Sequence, residues 1–218
     1  MQNKIIVSGC SYSTYPKNDN FPNLLAEKYN CENIAISGHS NYSITKKIYD
    51  YIEKTKVKDS LFICQLTYTH RLGFHHNINN LWIDYLPEKY GYKMPNNLNI
   101  ESDIRKKLET MYKTYLKYVY DEDVEFFNLM RNVDLLKSYV ESSNNKILFI
   151  NWPKVNQIQK QELKKRNFFN INEEYSMFNW SCDNKLTAPD THLNSIGANQ
   201  LKLELEKEYI LKNYLKVV

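Results

Sequence analysis

Three segments, far apart in the chain, carry the residue types that acyl-transfer chemistry uses. The residues "GCS" at 9–11 follow an apolar run, "SGHSN" contains Gly38, and "APDTHLNSIG" contains Asp190 and His192. A serine hydroxyl becomes a nucleophile when an imidazole accepts its proton, and a carboxylate then orients and stabilises the imidazole. If the fold brings these segments together, Ser11, His192 and Asp190 can form such a group.

Gly38 suggests a second part of the same chemistry. Backbone N–H groups at a strand-to-helix turn, beside a small residue, can stabilise the oxyanion of a tetrahedral intermediate. Loss of one such donor typically costs about 3–4 kcal/mol of transition-state stabilisation.

Alternating strands and helices must position these segments. Continuous apolar strands separated by helices predict an α/β fold, a three-layer doubly wound sandwich around a mostly parallel sheet of about five strands. The carboxyl ends of parallel strands share one edge, where ligands bind. The predicted strands are "KIIVSG", "ENIAISG", "DSLFICQLTYT" and "NKILFINW", with "FFNIN" as a fifth, and the predicted helices include those starting at Pro22, after Ser40 and after Asn194.

The length and the course of the chain favour one domain over residues 1–218. An aromatic-rich insertion occupies about 70–99, and a helical segment follows at about 103–142, where "DED" at 121–123 separates two apolar stripes. These stripes predict helix packing and leave a homo-oligomer surface open.

Composition excludes several classes of protein. The net charge is +4 without a dense Lys/Arg run, which argues against nucleic acid as a partner. No apolar run approaches the roughly 20 residues of a membrane span, and no signal peptide is present, so we expect a cytoplasmic protein without a membrane partner. Five glycines and no phosphate-binding motif argue against a nucleotide-binding domain.

The cysteines and histidines predict neither a metal site nor a cofactor. The four cysteines form no C-x-x-C pair and are expected to be free thiols. His70, His75 and His76 have no neighbouring cysteine or acidic cluster to complete a ligand set.

Taken in order, "SGCSYS", "FPNLLAEKYNCENIAISGHSN" and "DTHLNSIG" resemble the SGNH (GDSL-type) hydrolases across the whole chain. The resemblance implies the flavodoxin-like SGNH fold, with Ser11 as nucleophile, His192 as base and the Gly38 amide as an oxyanion donor. Asp190 would orient the histidine, and Asp183 is the alternative because the last block reads Asp-x-His rather than Asp-x-x-His.

Two further departures from the family pattern concern the first and third blocks. Cys10 replaces the usual aspartate before the nucleophile, and "CQLTYTHR" replaces the Gly-x-Asn-Asp block after the third strand. The side-chain oxyanion donor is therefore unassigned. Thr67 or Gln65 could act as this donor. Thr67 and Arg71 also form a Thr-x-x-x-Arg pattern that resembles a divergent branch of the family. Asn41 either caps a helix or faces the site.

The resemblance implies a serine esterase acting on a small-molecule or carbohydrate ester, with the 70–99 segment shaping the substrate site. Transfer of the acyl group to a sugar hydroxyl would make it an O-acyltransferase. A non-catalytic glycan-binding or virion-associated protein on the same fold is the alternative, because the third block is missing.

Simpler interpretations stay open for several residues. Ser11 could be only a turn or helix-capping residue. Cys10 is an alternative nucleophile, although its side chain should point towards the core. His39 could line a pocket or lie in solvent. The aromatic residues of the insertion could form a sugar-stacking wall or a local core; they are Trp82, Tyr85, Tyr90 and Tyr92.

Overall fold

A computed structural model describes residues 4–76, 81–85 and 102–214 of the chain. Its centre is a parallel sheet of four strands, which lie side by side in the order β2 (Cys31–Asn33), β1 (Ile5–Ser8), β3 (Leu61–Leu66) and β6 (Lys146–Asn151). In register, Ile5 lies beside Leu61, and Leu61 lies beside Lys146.

Helices cover both faces of the sheet, which confirms the predicted three-layer α/β sandwich. The chain moves from β1 to β2 in one direction across the sheet and from β2 to β3 in the other, so right-handed crossovers place the helix after β1 and the helix after β2 on opposite faces. The helices are α1 (Phe21–Ala26), α2 (Asn41–Thr55), α3 (Ser102–Tyr118), α4 (Glu122–Ser142), α5 (Gln157–Lys165), α6 (Met177–Asp183) and α7 (Ser195–Leu205), which continues as a π-helix (Glu206–Tyr214).

Local sequence signals start these helices where they were expected. Pro22 lies in the first turn of α1, Ser40 caps α2 by accepting a hydrogen bond from Ser43 N, and Asn194 caps α7. The predicted break in the 103–142 segment also occurs, because Asp121 caps α4 and separates it from α3. These caps fix where each loop at the carboxyl edge of the sheet ends.

The sheet has one strand fewer than predicted. Residues 168–172 ("FFNIN") reach the open edge of β6, where Phe169 N donates to Phe149 O at 2.9 Å. The chain then turns back, because Asn172 and Glu173 have positive φ values and Ile171 pairs with Glu174 instead of β6. The prediction of a fifth strand was wrong, since this turn leaves too few extended residues beside β6.

The insertion is described only in part. It contains a two-stranded antiparallel hairpin, β4 (Leu72–His76) and β5 (Leu81–Tyr85). Trp82 and Tyr85 therefore belong to β5, whereas Tyr90 and Tyr92 of the predicted aromatic wall lie outside the described residues. No helix in the described part of the chain is both long and apolar enough to cross a membrane.

Candidate active site

The first turn, directly after β1, is shaped by a side chain from β3. The buried Gln65 accepts hydrogen bonds at Oε1 from Cys10 N and Ser13 Oγ, each at 3.2 Å. A Cβ on Gly9 would lie 2.4 Å from Ser13 Oγ and 2.8 Å from Gln65 Oε1, so only glycine fits between them. This packing holds Ser11 at the start of a 3-10 turn, half-buried at the edge of the sheet.

Gln65 thus serves the turn as an acceptor. Its amide nitrogen donates to Leu66 O, so the side chain is used within the fold and does not supply the expected oxyanion donor. Cys10 is fully buried with its Sγ 3.5 Å from Gln65 Oε1, which agrees with the expectation that its side chain points towards the core.

Residues 34–40, which join β2 to α2 and are called here the Gly38 loop, lie beside the first turn. Ile34 N donates to Val7 O and Ile36 N donates to Gly9 O, so the chain after β2 continues along β1 as far as the turn. Gly38 has a φ of +88°, a backbone conformation that favours glycine. The structure therefore brings the second predicted segment to the first.

Arg71 connects this loop to the end of β3. Its Nη1 donates to His39 O at 3.3 Å, and its guanidinium lies 5.8 Å from the centroid of the Tyr68 ring. Arg71 is half-buried, and its positive charge contributes to lowering the pKa of the His192 imidazole. Among the predicted donors, Arg71 is placed next to the Gly38 loop.

The Asn41 side chain is bound to the backbone of Thr67, whereas the Thr67 hydroxyl has no partner in the described structure. The Asn41 side chain donates to Thr67 O and accepts from Thr67 N, both at 2.8 Å, which ties the start of α2 to the end of β3. These bonds make Asn41 a structural residue. The Thr67 hydroxyl is buried without a hydrogen-bond partner in the described structure and lines a cavity of about 30 Å³ together with His70.

His192 is presented by a tight loop between α6 and α7. Ala188 N donates to His192 O at 2.7 Å, and Thr191 N donates back to Ala188 O. Thr191 has a φ of +70°, which is strained for a β-branched residue. Strain of this kind persists only where the surrounding structure fixes it, and it is frequent at active sites.

The imidazole of His192 lies against the first turn. Its centroid is 4.8 Å from that of the Tyr12 ring and 5.1 Å from that of Tyr15, so the residue after Ser11 contacts it directly. The three segments thus meet at the edge of the sheet, where the sequence predicted them. Within the described residues, however, neither ring nitrogen makes a hydrogen bond, to Ser11 or to any other group.

Asp190 is the carboxylate beside the imidazole. Its Oδ2 lies 3.3 Å from His192 Nδ1 without a hydrogen bond between them, and its Oδ1 accepts a hydrogen bond from His192 N at 3.3 Å. The Asp190 side chain is 53% exposed. Asp183, the alternative, ends α6 and is exposed.

Burial is the main influence on the charge of His192. It lowers the pKa of the imidazole, and Arg71 lowers it further, whereas Asp190 opposes both by stabilising the charged form. The balance is a pKa below the ordinary value of 6.5. His192 is therefore neutral at pH 7, the state in which it can accept a proton.

Sequence reasoning missed the aromatic residues around His192. Tyr12 stacks on Trp152 with 3.9 Å between the ring centroids, and Trp152 follows β6 directly. "SGCSYS" contained Tyr12, but the sequence carried no sign that β6 would place Trp152 beside it. The described residues include no group of three His, Cys, Asp or Glu side chains that could hold a metal ion.

Comparison with known proteins identifies the fold. No family model and no curated protein matches the chain. Two solved esterases do match in structure. The psychrotrophic esterase EstA from Pseudoalteromonas sp. is 13% identical, the match covers 94% of this chain and 95% of that one, and the TM-score is 0.52. The acetyl xylan esterase AlAXEase is 12% identical, the match covers 95% of this chain and 100% of that one, and the TM-score is 0.55. A putative lipolytic protein of the G-D-S-L family from Desulfitobacterium hafniense also matches, at 9% identity over 94% of this chain and 98% of that one, with a TM-score of 0.50. The chain has the SGNH (GDSL-type) hydrolase fold, strongly diverged in sequence.

Proposed function

We propose that this protein is a serine esterase of the SGNH type, which cleaves a carboxylic ester through an acyl-enzyme on Ser11. The observation that carries the proposal is the contact between the His192 imidazole and the first turn at Tyr12, the neighbour of Ser11. An imidazole that is neutral at pH 7 and contacts the residue next to Ser11, at the carboxyl edge of a parallel sheet, supports His192 as the base for that serine.

The reaction begins with transfer of the Ser11 proton to His192 as Oγ bonds to the ester carbonyl carbon. The carbonyl electron pair moves onto oxygen, and the Gly38 N–H stabilises this oxyanion. The intermediate collapses, the alkoxide leaves with the proton held by His192, and an acyl-serine remains. Water then attacks the acyl-serine by the same route and releases the acid.

Arg71 is the best candidate for the side chain that replaces the missing third block. Its guanidinium is tied to the Gly38 loop through His39 O and retains further N–H donors, whereas the amide groups of Gln65 and Asn41 are bound within the fold. A fixed cation next to a developing oxyanion stabilises it.

For the substrate we propose an acylated carbohydrate. The acetyl xylan esterase among the structural neighbours acts on such a compound by its name, and tyrosine rings border the candidate site. Flat aromatic faces suit the apolar faces of sugar rings. Transfer of the acyl group to a sugar hydroxyl instead of water would use the same acyl-enzyme.

A fluorophosphonate probe read by intact mass tests the nucleophile. We expect one adduct on the wild-type protein, none on Ser11→Ala and an undiminished adduct on Ser37→Ala, an exposed serine of the Gly38 loop. No adduct on the wild type, or full labelling of Ser11→Ala, would refute the proposal.

A second assay tests the substrate class. Turnover of acetylated xylo-oligosaccharide with a higher kcat/KM than p-nitrophenyl acetate supports a carbohydrate ester, and the reverse order points to another acyl compound. Addition of free xylo-oligosaccharide during turnover of p-nitrophenyl acetate, followed by mass spectrometry of the sugar, detects acyl transfer.

A non-catalytic glycan-binding role is the second candidate. The observation that favours it is that the imidazole nitrogens make no hydrogen bond in the described structure. Glycan binding by a protein that neither labels with the probe nor hydrolyses either ester would establish it.

A further inference from the structure

We propose that two tyrosines of the first turn, Tyr12 and Tyr15, hold the His192 imidazole in its working orientation, and that the Asp190 carboxylate contributes less to that task. The inference rests on the proposed function, because it assigns positioning residues for the base of that reaction. It departs from the usual triad, in which a hydrogen-bonded carboxylate fixes the histidine.

The contact of His192 with the buried Tyr12 ring is better anchored than its 3.3 Å contact with Asp190, whose side chain is 53% exposed. The planes of the imidazole and the Tyr12 ring differ by 35°, and those of the imidazole and the Tyr15 ring by 47°. Tyr12 is itself stacked on Trp152 with an interplanar angle of 15°. Trp152 is 1% exposed, so the series Trp152–Tyr12–His192 is fixed to the end of β6.

This arrangement can also serve the charged form of the base. When His192 takes the Ser11 proton it becomes a cation, and tyrosine rings attract cations at their faces. The attraction is strongest where water is excluded, and Tyr12 is 5% exposed. The rings therefore supply both orientation and some stabilisation of the imidazolium.

Asp190 is poorly placed for the same work. Half of its side chain faces solvent, its Oδ2 lies 3.3 Å from Nδ1 without a hydrogen bond between them, and its other oxygen accepts from the backbone N–H of His192. Ion pairs in contact with water contribute little. The backbone hydrogen bond shows what Asp190 does do, which is to hold the strained Thr191 turn.

Tyr15 offers the cleaner test, because it is 39% exposed and its substitution should not disturb the core, unlike that of Tyr12. We expect Tyr15→Leu to lower kcat for a short-chain nitrophenyl ester by about 10–100-fold with little change in KM, since a misplaced base costs up to about 100-fold. Tyr15→Phe keeps the ring and should stay within about threefold of wild type.

Asp190→Asn should lower kcat by less than about tenfold, far from the roughly 10⁴-fold loss seen when the carboxylate of a conventional triad is replaced by an amide. Tyr118→Leu is the matched control, because Tyr118 is 71% exposed on α3. A loss in Asp190→Asn that equals or exceeds the loss in Tyr15→Leu overturns the inference.

An NMR measurement keeps the inference separate from the enzymatic proposal. The ring protons of His192, assigned by comparison with His192→Asn, should be shifted by the tyrosine ring currents and should move in Tyr15→Leu but not in Tyr118→Leu. If the wild type neither labels nor turns over, the proposed function fails and the positioning role with it. If the wild type is active but these protons do not move, only the positioning role fails.

Discussion

Asn41 and Thr67 are joined by a pair of 2.8 Å hydrogen bonds that connect the first residue of α2 to the residue after β3. Both residues are buried. The amide of Asn41 satisfies both the N–H and the C=O of Thr67. This link fixes the Gly38 loop relative to the central strands.

Replacement of Asn41 by leucine should therefore be costly. Asn41→Leu leaves two backbone groups of Thr67 buried and unpaired, at about 1–3 kcal/mol each, so we expect the free energy of unfolding to fall by about 2–5 kcal/mol. Urea unfolding followed by circular dichroism measures it. Asn132→Ala, at an exposed position on α4, is the control, and a loss no greater than in that variant would contradict the prediction.

The close approach of Ser13 explains why position 9 requires a glycine. Gly9→Ala should destabilise the protein by about 1–3 kcal/mol, because the new methyl overlaps Ser13 Oγ and Gln65 Oε1. Removal of the hydroxyl in Gly9→Ala/Ser13→Ala should recover part of this loss. Thermal unfolding of both single variants and the double variant completes the cycle.

Gly38→Ala supplies the control for that cycle. Its added methyl would meet no atom within 4 Å, so its cost is that of the left-handed backbone alone, about 1–2 kcal/mol. Ser13→Ala should add to it without rescue. Simple additivity in the Gly9 cycle would show that the turn shifts to accept the methyl.

The sequence was sufficient to predict the elements but not all of their contacts. Apolar runs identified β1, β3 and β6, whereas β2 (Cys31–Asn33) lies mostly before the apolar part of the predicted strand "ENIAISG". Ser40 and Asn194 marked helix starts because capping is decided by neighbouring residues. The adjacency of "SGCSYS" and "DTH" followed from the shared edge of a parallel sheet. The fifth strand was wrong because positive φ at Asn172 and Glu173 depends on packing that no local pattern displays.

Side-chain assignments at the site needed the structure. Whether Gln65 faces substrate or the first turn depends on the exact register of β3 against β1, since a shift of one residue reverses every side chain. The contact of Tyr12 with Trp152 depends on the strand order, because Trp152 follows a strand that is separated from β1 by β3. Neither relationship is encoded in a short stretch of sequence.

His70 should make the protein sensitive to acid. Burial, and secondarily Arg71, lowers the pKa of His70 from 6.5 to about 4. The unfolded chain therefore takes up a proton that the folded protein resists. The contribution of this residue to the free energy of unfolding is fully present above pH 6.5. It is lost as the pH falls to about 4, and the loss amounts to at most about 3 kcal/mol.

Urea unfolding at several pH values between 7 and 4 measures this effect. His70→Phe keeps a ring against Tyr68, whose centroid is 5.2 Å from that of His70, and removes the titrating group. The variant should lose less stability than wild type over this range. Parallel curves for the two proteins would show that His70 takes no part.

The pH dependence of the esterase reaction should report His192. Only the neutral imidazole can accept the Ser11 proton, so kcat/KM should fall on the acid side with a midpoint at the pKa of His192, below 6.5 because the ring is buried. Arg71→Met removes a positive charge and should move the midpoint to higher pH. Asp190→Asn removes the charge that favours the imidazolium and should move it to lower pH.

The opposite directions of these two shifts make the assignment specific to His192. Lys207→Met changes the net charge by the same amount as Arg71→Met at a side chain that is 72% exposed, and it should leave the midpoint where it is. A wild-type midpoint at or above 6.5, or a shift in the same direction in Arg71→Met and Asp190→Asn, would mean that another group limits the reaction. Because the midpoint is independent of the absolute rate, it stays readable even where Arg71→Met also weakens oxyanion or substrate binding.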